Sequence, residues 1–386
     1  MVKPIPVNPA LLTWARETAG LSIKDVVESM KLKSVTSETV NAWEAGTDYP
    51  TYAQLKKLAY KIYKRPLALF FFPNPPVEET PKQAFRTLPD YEINNLPSRM
   101  RLLIRNARAM QLNLSELYDN ANPAKKNVVK DLSFDPNVEA DKMAIAIRKY
   151  LQVDIQEQTK WKDSEIALKA WRDILEDNGV FIFKDAFQLK DFSGFCLYDD
   201  QFPIIYVNNS KAKNRQIFTL FHELAHLLFR TGGIDTRIEK YIDFLVGENR
   251  LIEILCNRFA GEFLVPSEDF RQIVRGRQID DNSIQFIADH YNVSREVILR
   301  KAFDLNLVDQ RYYQDKVEEW RKSLKEKKRD GGDYYKTKSA YLGEKYLGTA
   351  FSRYYHNRIS IEQLSEYLGV KVKNVAGMEQ LLLNKA

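Results

Sequence analysis

Apolar residues recur at helical spacing along most of this chain and at strand spacing in one short region. Amphipathic helices are predicted at 97–120, at 136–152, in a segment ending at Gly179, and through 267–386. Three apolar or alternating runs separated by turn residues predict strands at 180–183, 194–198 and 203–209. Two apolar helices are predicted after these runs, at about 214–229 and 249–264. The pattern indicates a predominantly α-helical α+β fold with a small sheet.

The N-terminal residues have the pattern of a separate helical module. Residues 9–72 read as a compact bundle of short helices, in which Thr36 or Ser37 can cap one helix and Gly46 can end it. The proline-rich stretch 73–76 cannot continue a helix and marks the end of this module. With 386 residues the chain is long enough for two to four domains.

Composition and charge narrow the class of protein. The chain is 44% apolar and 28% charged, which is typical of a globular protein. Its net charge is +6, of which residues 1–73 contribute +4, from ten Lys and Arg against six Asp and Glu. This excess mildly favours an anionic partner for the N-terminal module. Cys196 and Cys256 lack a C-x-x-C spacing and are expected to be reduced thiols. With no signal peptide and no membrane-spanning run predicted, we expect a cytoplasmic protein without membrane contact.

One motif carries the chemistry that the sequence predicts. Residues 218–229, FTLFHELAHLLF, place His222, Glu223 and His226 in the pattern H-E-x-x-H within an apolar stretch. Positions i and i+4 of a helix lie on the same side, about 6 Å apart along the axis. Two imidazoles can therefore bind one metal ion, with the glutamate beside them as a proton acceptor. The chain has only four histidines, so a chance match is rare.

A catalytic zinc needs a third protein ligand and an open position for water. The residues present exclude a third histidine at the short spacing H-E-x-x-H-x-x-G-x-x-H. The apolar segment LIEILCNRFAGEFLVP supplies Glu253, whose burial would be costly without a cationic partner. The alternative is an exposed glutamate on an amphipathic helix. Asn257, one turn later, is placed to hydrogen-bond a ligand histidine. We therefore expect His222, His226 and Glu253 to bind Zn²⁺, with Glu223 as the general base.

The flanking residues allow further expectations about a peptide substrate. Strand 203–209, PIIYVNN, is expected to align a peptide by edge-strand pairing. Arg215, His290 and Tyr291 are candidates for stabilising the oxyanion, although a structural role is the favoured interpretation of each of them. The sequence does not choose among them.

Residues 19–46 have the layout of two short helices joined by a tight turn. The second helix, near 37–45, would be the one presented to a DNA major groove. Residues 36–46 contain no Lys or Arg, and modules of this kind also dimerise or hold partner proteins, so DNA binding and protein interaction remain alternatives. The candidate base and phosphate contacts are Ser37, Glu38, Asn41 and Lys33.

In the order of its motifs the chain resembles the ImmA/IrrE-type metallopeptidases with an N-terminal XRE-type helix-turn-helix domain. The motifs that carry the resemblance are W-E-x-G at 43–46, H-E-L-A-H at 222–226 and E-x-x-C-N-R-F-A-G-E-F-L-V-P from Glu253. Further similar stretches are 65–73, 193–209 and 331–371. The resemblance therefore spans nearly the whole chain. It departs at Cys256, where the family usually has Ala.

The resemblance implies a helix-turn-helix domain in a five-helix bundle, a zincin-like peptidase domain with a small sheet, and a C-terminal helical domain. The implied segments are 1–75 for the XRE-type domain, 76–145 for a helical linker region, 146–270 for the metallopeptidase domain and 271–386 for the C-terminal domain. By motif match, the resemblance also implies that His222, His226 and Glu253 are the metal ligands and that Glu223 is the general base.

It also implies a zinc-dependent endopeptidase that cleaves a repressor or antitoxin and so controls mobile-element, stress or defence genes. Expected partners are that protein substrate, double-stranded DNA at the N-terminal module, a neighbouring toxin, and a second copy of the chain. The alternative is a DNA-binding regulator or antitoxin in which the peptidase-like domain is a non-proteolytic scaffold or sensor. A zinc site that serves only stability is a third interpretation.

Overall fold

The computed structural model describes residues 4–78, 95–236, 247–323 and 332–384, together with Phe85 and Ile93. The chain divides into two compact units, Met1–Asn106 and Ala107–Ala386. The four-segment division given above stays a prediction. The charge run KSLKEKKRDGGD at 322–333 is typical of an exposed helix end and loop, and most of it lies outside the described residues.

The first unit is built from short helices around an apolar core. Thr36 caps its third helix through a hydrogen bond from the backbone N–H of Thr39, and Gly46 ends that helix at φ +72°. The connection between the second and third helices runs over six residues, Lys31 to Thr36, so the expected tight turn is wrong. The elements of this unit are α1 (Pro9–Thr18), α2 (Ile23–Met30), α3 (Ser37–Ala45), α4 (Tyr52–Lys57), a π-helical turn (Leu58–Tyr63), a 3-10 turn (Leu67–Phe71) and the start of α5 (Ser98–Leu117).

The second unit holds the sheet and the remaining helices. In chain order, the elements up to the helix that follows the sheet are α6 (Val128–Asp131), α7 (Ala140–Leu151), α8 (Ile155–Gln158), α9 (Ser164–Asp177), β1 (Phe181–Asp185), β2 (Phe192–Leu197), β3 (Ile204–Asn208), α10 (Lys213–Leu228), β4 (Ile234–Thr236) and α11 (Gly247–Leu264). After them lie α12 (Ser267–Val274), α13 (Asp281–Tyr291), α14 (Arg295–Asp304), α15 (Gln310–Ser323), α16 (Tyr334–Leu342), α17 (Glu344–Tyr355), α18 (Ile361–Tyr367), a 3-10 turn (Val372–Asn374) and α19 (Val375–Leu383). The predicted α+β fold, mostly helical with a small sheet, is confirmed.

The sheet has four strands in the order β1-β3-β2-β4. Strand β3 runs parallel to β1 and antiparallel to β2, and β4 pairs with the other side of β2. The three predicted strands are confirmed, but β3 lies inside the sheet with both edges paired. The expectation that 203–209 is an edge strand is therefore wrong. Strand β4, which the sequence pattern did not predict, stands at the end of the sheet.

Aromatic side chains pack between α10, which carries the H-E-x-x-H motif, and α11, which carries Glu253. The ring of Phe221 on α10 stacks on Phe263 of α11 at 4.2 Å between centroids. Trp171 of α9 meets Phe221 edge-on at 4.8 Å, and all three side chains are buried. Such contacts fix the relative position of α10 and α11 beyond what apolar burial alone provides. Among the described residues, no helix combines the length and the apolar character needed to cross a membrane.

Candidate metal centre

Helix α10 is a core helix, and it brings both motif histidines inside the protein. Twelve of its sixteen residues are buried, including His222, Glu223 and His226. A helix that is apolar on nearly all sides is covered by the fold on those sides. Two imidazoles and a carboxylate in such a helix need polar or ionic partners, because burying them without partners costs free energy.

Three side chains from α10 and α11 meet at one point. The Nε2 atoms of His222 and His226 lie 3.3 Å apart, and Glu253 places one oxygen 3.5 Å from the first and the other 3.2 Å from the second. Ligands at about 2.0–2.1 Å around a tetrahedral zinc stand roughly 3.3 Å from one another. The separations in this site therefore fit a tetrahedral ion. Within the described part of the chain, these three residues form the single His, Cys, Asp or Glu group that could hold a metal.

The burial of Glu253 is a second observation that suits a cation site. The residue is 5% exposed, and its Oε1 has no hydrogen-bond donor. Burial disfavours its charged form, but His226 and His222 outweigh burial and lower the pKa of Glu253 well below its usual range. The sequence alternative, an exposed glutamate on an amphipathic helix, does not describe this side chain. A buried carboxylate facing two imidazole nitrogens is suited to a divalent cation.

The outer nitrogens of both histidines face oxygen atoms. Oδ1 of Asn257 lies 3.2 Å from Nδ1 of His222, and Oγ1 of Thr231 lies 3.5 Å from Nδ1 of His226. An amide oxygen only accepts, so it favours the tautomer with the proton on Nδ1 and leaves the Nε2 lone pair of His222 directed at the metal position. The sequence pointed to Asn257, whereas Thr231 was missed. Thr231 lies past the helix end, where helical spacing gives no signal.

One carboxylate oxygen of Glu223 accepts a hydrogen bond, and the other has no donor. Its Oε1 accepts a hydrogen bond of 2.9 Å from the backbone N–H of Asp235 in β4, and its Oε2 is buried without a donor. Burial raises the pKa of Glu223 to about 8, Asp235 adds to the rise, and His226 opposes it. A carboxylate whose pKa lies near neutrality is well matched to accepting and returning a proton.

Two glycines let β2 and β4 approach α10 closely. A Cβ at Gly233 would stand 2.3 Å from Cδ2 of His226, and one at Gly194 would stand 2.4 Å from Cγ2 of Thr219. Neither distance is compatible with a side chain. Glycine at these two positions therefore allows the sheet to lie against the histidine and the threonine.

Both cysteines are free and buried, as expected. Sγ of Cys196 accepts a hydrogen bond of 3.2 Å from the backbone N–H of Gly233. Burial raises the pKa of the thiols of Cys196 and Cys256 well above the ordinary value, so both stay protonated near neutral pH. A protonated thiol is a poor metal ligand.

His222, Glu253 and Asn257 line a groove of about 2040 Å³ in the second unit, and Glu223 and His226 are not among its lining residues. Its walls near the site include Arg215, Phe218 and His222, and it continues along α11 past Leu251 and Ile254. Small-molecule pockets usually enclose about 300–1,000 Å³. The groove is therefore larger than a small substrate requires.

The oxyanion candidates are not gathered at the metal site. The hydroxyl of Tyr291 donates to Asp269, and His290 lines a separate cavity of about 480 Å³. Arg215 lies on the groove wall and forms an ion pair of 2.7 Å with Asp235. Of the three, only Arg215 remains near the site.

The candidate DNA contacts all lie on the surface of the first unit. Ser37, Glu38 and Asn41 are exposed at the start of α3, and Lys33 is exposed in the connection before it. Their exposure leaves them accessible to a partner of either kind.

Residues 175–303 match the family model described as Peptidase_M78, IrrE N-terminal-like domain. The matched segment covers about one third of the chain and includes all four sheet strands, α10 and α11. It supports a metallopeptidase domain of the ImmA/IrrE kind in this segment. The match does not reach the N-terminal module. No curated protein matches the chain.

Proposed function

We propose that this protein is a zinc-dependent endopeptidase with His222, His226 and Glu253 as its metal ligands and Glu223 as its general base. The observation that carries the proposal is the mutual spacing of the three ligand groups, 3.2 to 3.5 Å, beside a buried carboxylate oxygen without a donor. The family match at 175–303 supports the same reaction class.

The chain's own residues would act as follows. Bound zinc would lower the pKa of a coordinated water and polarise the scissile carbonyl. Glu223, held at Oε1 by the N–H of Asp235, would accept the proton of the attacking water at Oε2 and return it to the leaving amine. Asn257 would keep the imidazole of His222 oriented and in the tautomer that binds a metal.

A polypeptide is the substrate class that the groove favours. Its volume exceeds that of small-molecule sites, and its walls contain both apolar side chains, such as Phe218 and Ile254, and charged ones. Strand β4 takes the place of β3 as the strand along which a peptide would align, because it stands at the end of the sheet and contacts the general base. We propose a repressor or antitoxin as the cleaved protein.

Co-expression with the product of the adjacent gene tests this function. Wild-type protein should carry about one zinc per chain and yield a truncated partner detectable by mass spectrometry. Glu223→Gln should retain the zinc and leave the partner intact, since general-base removal costs roughly 10²–10⁴-fold in rate. Fully folded wild-type protein without zinc, or equal truncation by both forms, would reject the proposal.

The second candidate function is a regulator in which the peptidase-like domain is a scaffold or sensor. It is favoured by the exposure of Ser37, Glu38, Asn41 and Lys33 on the first unit. In that case Asn41→Ala would abolish binding to the promoter DNA of the protein's own gene, and Glu223→Gln would leave the biological output unchanged. A mobility-shift assay with that DNA and a reporter assay separate the two functions.

A further inference from the structure

Strand β4 carries a buried carboxylate, Asp235, that the metal site does not use. The residue is 4% exposed and is not one of the three potential metal ligands. Its backbone N–H, however, is the donor that holds Oε1 of Glu223 at 2.9 Å. The position of the general base thus depends on where this strand lies.

Within the described residues, β4 (Ile234–Thr236) pairs with β2. The pairing is irregular between Phe192 and Gly194 of β2. Side-chain contacts add to this pairing in fixing the position of β4.

The side chain of Asp235 supplies those contacts. Both of its oxygens accept hydrogen bonds from Nη2 of Arg215, at 2.7 and 2.9 Å, and Oδ2 also accepts one of 2.8 Å from Thr219. Arg215 in turn donates from Nε to Oγ of Ser193, at 3.1 Å. The carboxylate therefore ties β4 to two turns of α10 and, through the guanidinium, to β2. Charge-assisted hydrogen bonds of this kind are the strong ones.

We propose that Asp235 is a positioning residue for Glu223, with Arg215 and Thr219 holding its carboxylate. In this arrangement the side chain fixes β4, the N–H of Asp235 fixes Oε1 of Glu223, and Oε2 is left without a donor. The inference rests on the proposed function and names a residue outside the motif. It also gives Arg215 a supporting role in place of oxyanion stabilisation.

The test uses the full chain loaded with cobalt(II), whose visible absorption reports the surroundings of the bound ion independently of any cleavage. Asp235→Asn and Arg215→Met should each bind about one cobalt per chain and show the band shift that Glu223→Gln shows. Arg215→Lys should restore most of the wild-type spectrum, because the ion pair is retained. Asp119→Asn is the control for the loss of an arginine–aspartate ion pair: it removes the carboxylate partner of Arg353, which is as exposed as Arg215, although Asp119 is 78% exposed and Asp235 only 4%.

Kinetics on the cleaved partner provide the second readout. Asp235→Asn should lower kcat by at least about tenfold and leave KM within about threefold, because a misplaced general base affects the chemical step more than substrate binding. A wild-type cobalt spectrum in both Asp235→Asn and Arg215→Met overturns the proposal, whatever happens to kcat. Should Asp235→Asn fail to fold, Arg215→Met and Thr219→Val decide by the same criterion. A wild type that binds cobalt but cleaves nothing refutes the proposed function, and the spectra still decide the positioning role.

Discussion

Oδ1 of Asn257 lies 3.2 Å from Nδ1 of His222, which joins α11 to α10 on the side of the imidazole away from the metal position. Removing this acceptor should weaken zinc binding by about 10–100-fold, since the ring loses both its orientation and its favoured tautomer. We therefore expect Asn257→Ala to bind zinc less tightly in a competition titration with a chromophoric chelator. Asn257→Asp retains an acceptor and should stay close to wild type. Equal affinity in Asn257→Ala and wild type would contradict the role.

Gly233 should be intolerant of any side chain because of the imidazole beside it. A Cβ at this position would stand 2.3 Å from Cδ2 and 2.4 Å from Cγ of His226. Gly233→Ala must displace either β4 or the ring, and we expect zinc affinity to fall by at least about tenfold. Gly261→Ala is the control, because a Cβ there meets no atom within 4 Å. In helix α11 that control should bind zinc normally and gain about 0.5–1 kcal/mol of stability. Normal zinc binding by Gly233→Ala would show that the sheet can move without cost to the site.

Glu253 should couple metal binding to the stability of the protein. Zinc that binds the native state and not the unfolded chain stabilises the protein and raises its Tm. At a free zinc concentration of 100 times Kd the stabilisation is about 2.7 kcal/mol. Wild-type protein should therefore melt at a higher temperature when zinc is added after removal of metal by a chelator. Glu253→Ala loses the one ligand that α11 provides, so added zinc should change its Tm little. A zinc-dependent rise of the same size in both proteins would mean that α11 does not contribute a ligand.

Sequence patterns were sufficient for the elements that carry strong periodicity. The apolar stretch around His222 and the segment containing Glu253 each form a helix within about two residues of the predicted limits. The contact between these two helices could be expected, because a shared cation offsets the free-energy cost of burying one carboxylate and two imidazoles. The three predicted strands were also found from a strong local pattern, because each has an apolar run bounded by turn residues.

The errors have identifiable physical causes. Strand β3 was expected at an edge, yet all five of its residues are buried, and a near-continuous apolar run is typical of a strand covered on both faces. That signal reports covered faces and not paired edges, so PIIYV did not reveal that β1 and β2 pair with β3 on both sides. The described part of β4 has three residues, too few for alternation to show, and Gly232 and Gly233 before it indicated only the end of a helix. Asp235 was missed because its importance comes from contacts with residues 12 to 20 positions earlier in the chain. Thr231 was missed because it lies past the end of α10, where helical spacing gives no signal.

The buried carboxylate of Glu223 should make the zinc-free protein sensitive to pH. Burial raises its pKa to about 8 from an ordinary value of 4.5, so the native state holds this proton more tightly than the unfolded chain does. Zinc-free wild type therefore loses stability as pH rises from about 4.5 toward 8. Glu223→Gln carries no charge at any pH and escapes this loss.

We expect the Tm of zinc-free Glu223→Gln to equal that of wild type near pH 4.5 and to exceed it by at least about 4 °C at pH 8.5, since 1 kcal/mol shifts Tm by about 2–4 °C in domains of this size. Glu366→Gln removes an exposed carboxylate on α18 and should show no such change between the two pH values. Calorimetric scans of the chelator-treated proteins measure the difference. If the Tm difference between Glu223→Gln and wild type is the same at both pH values, the carboxylate of Glu223 is solvated. That result would remove the reason for regarding Glu223 as a proton acceptor with a pKa near neutrality.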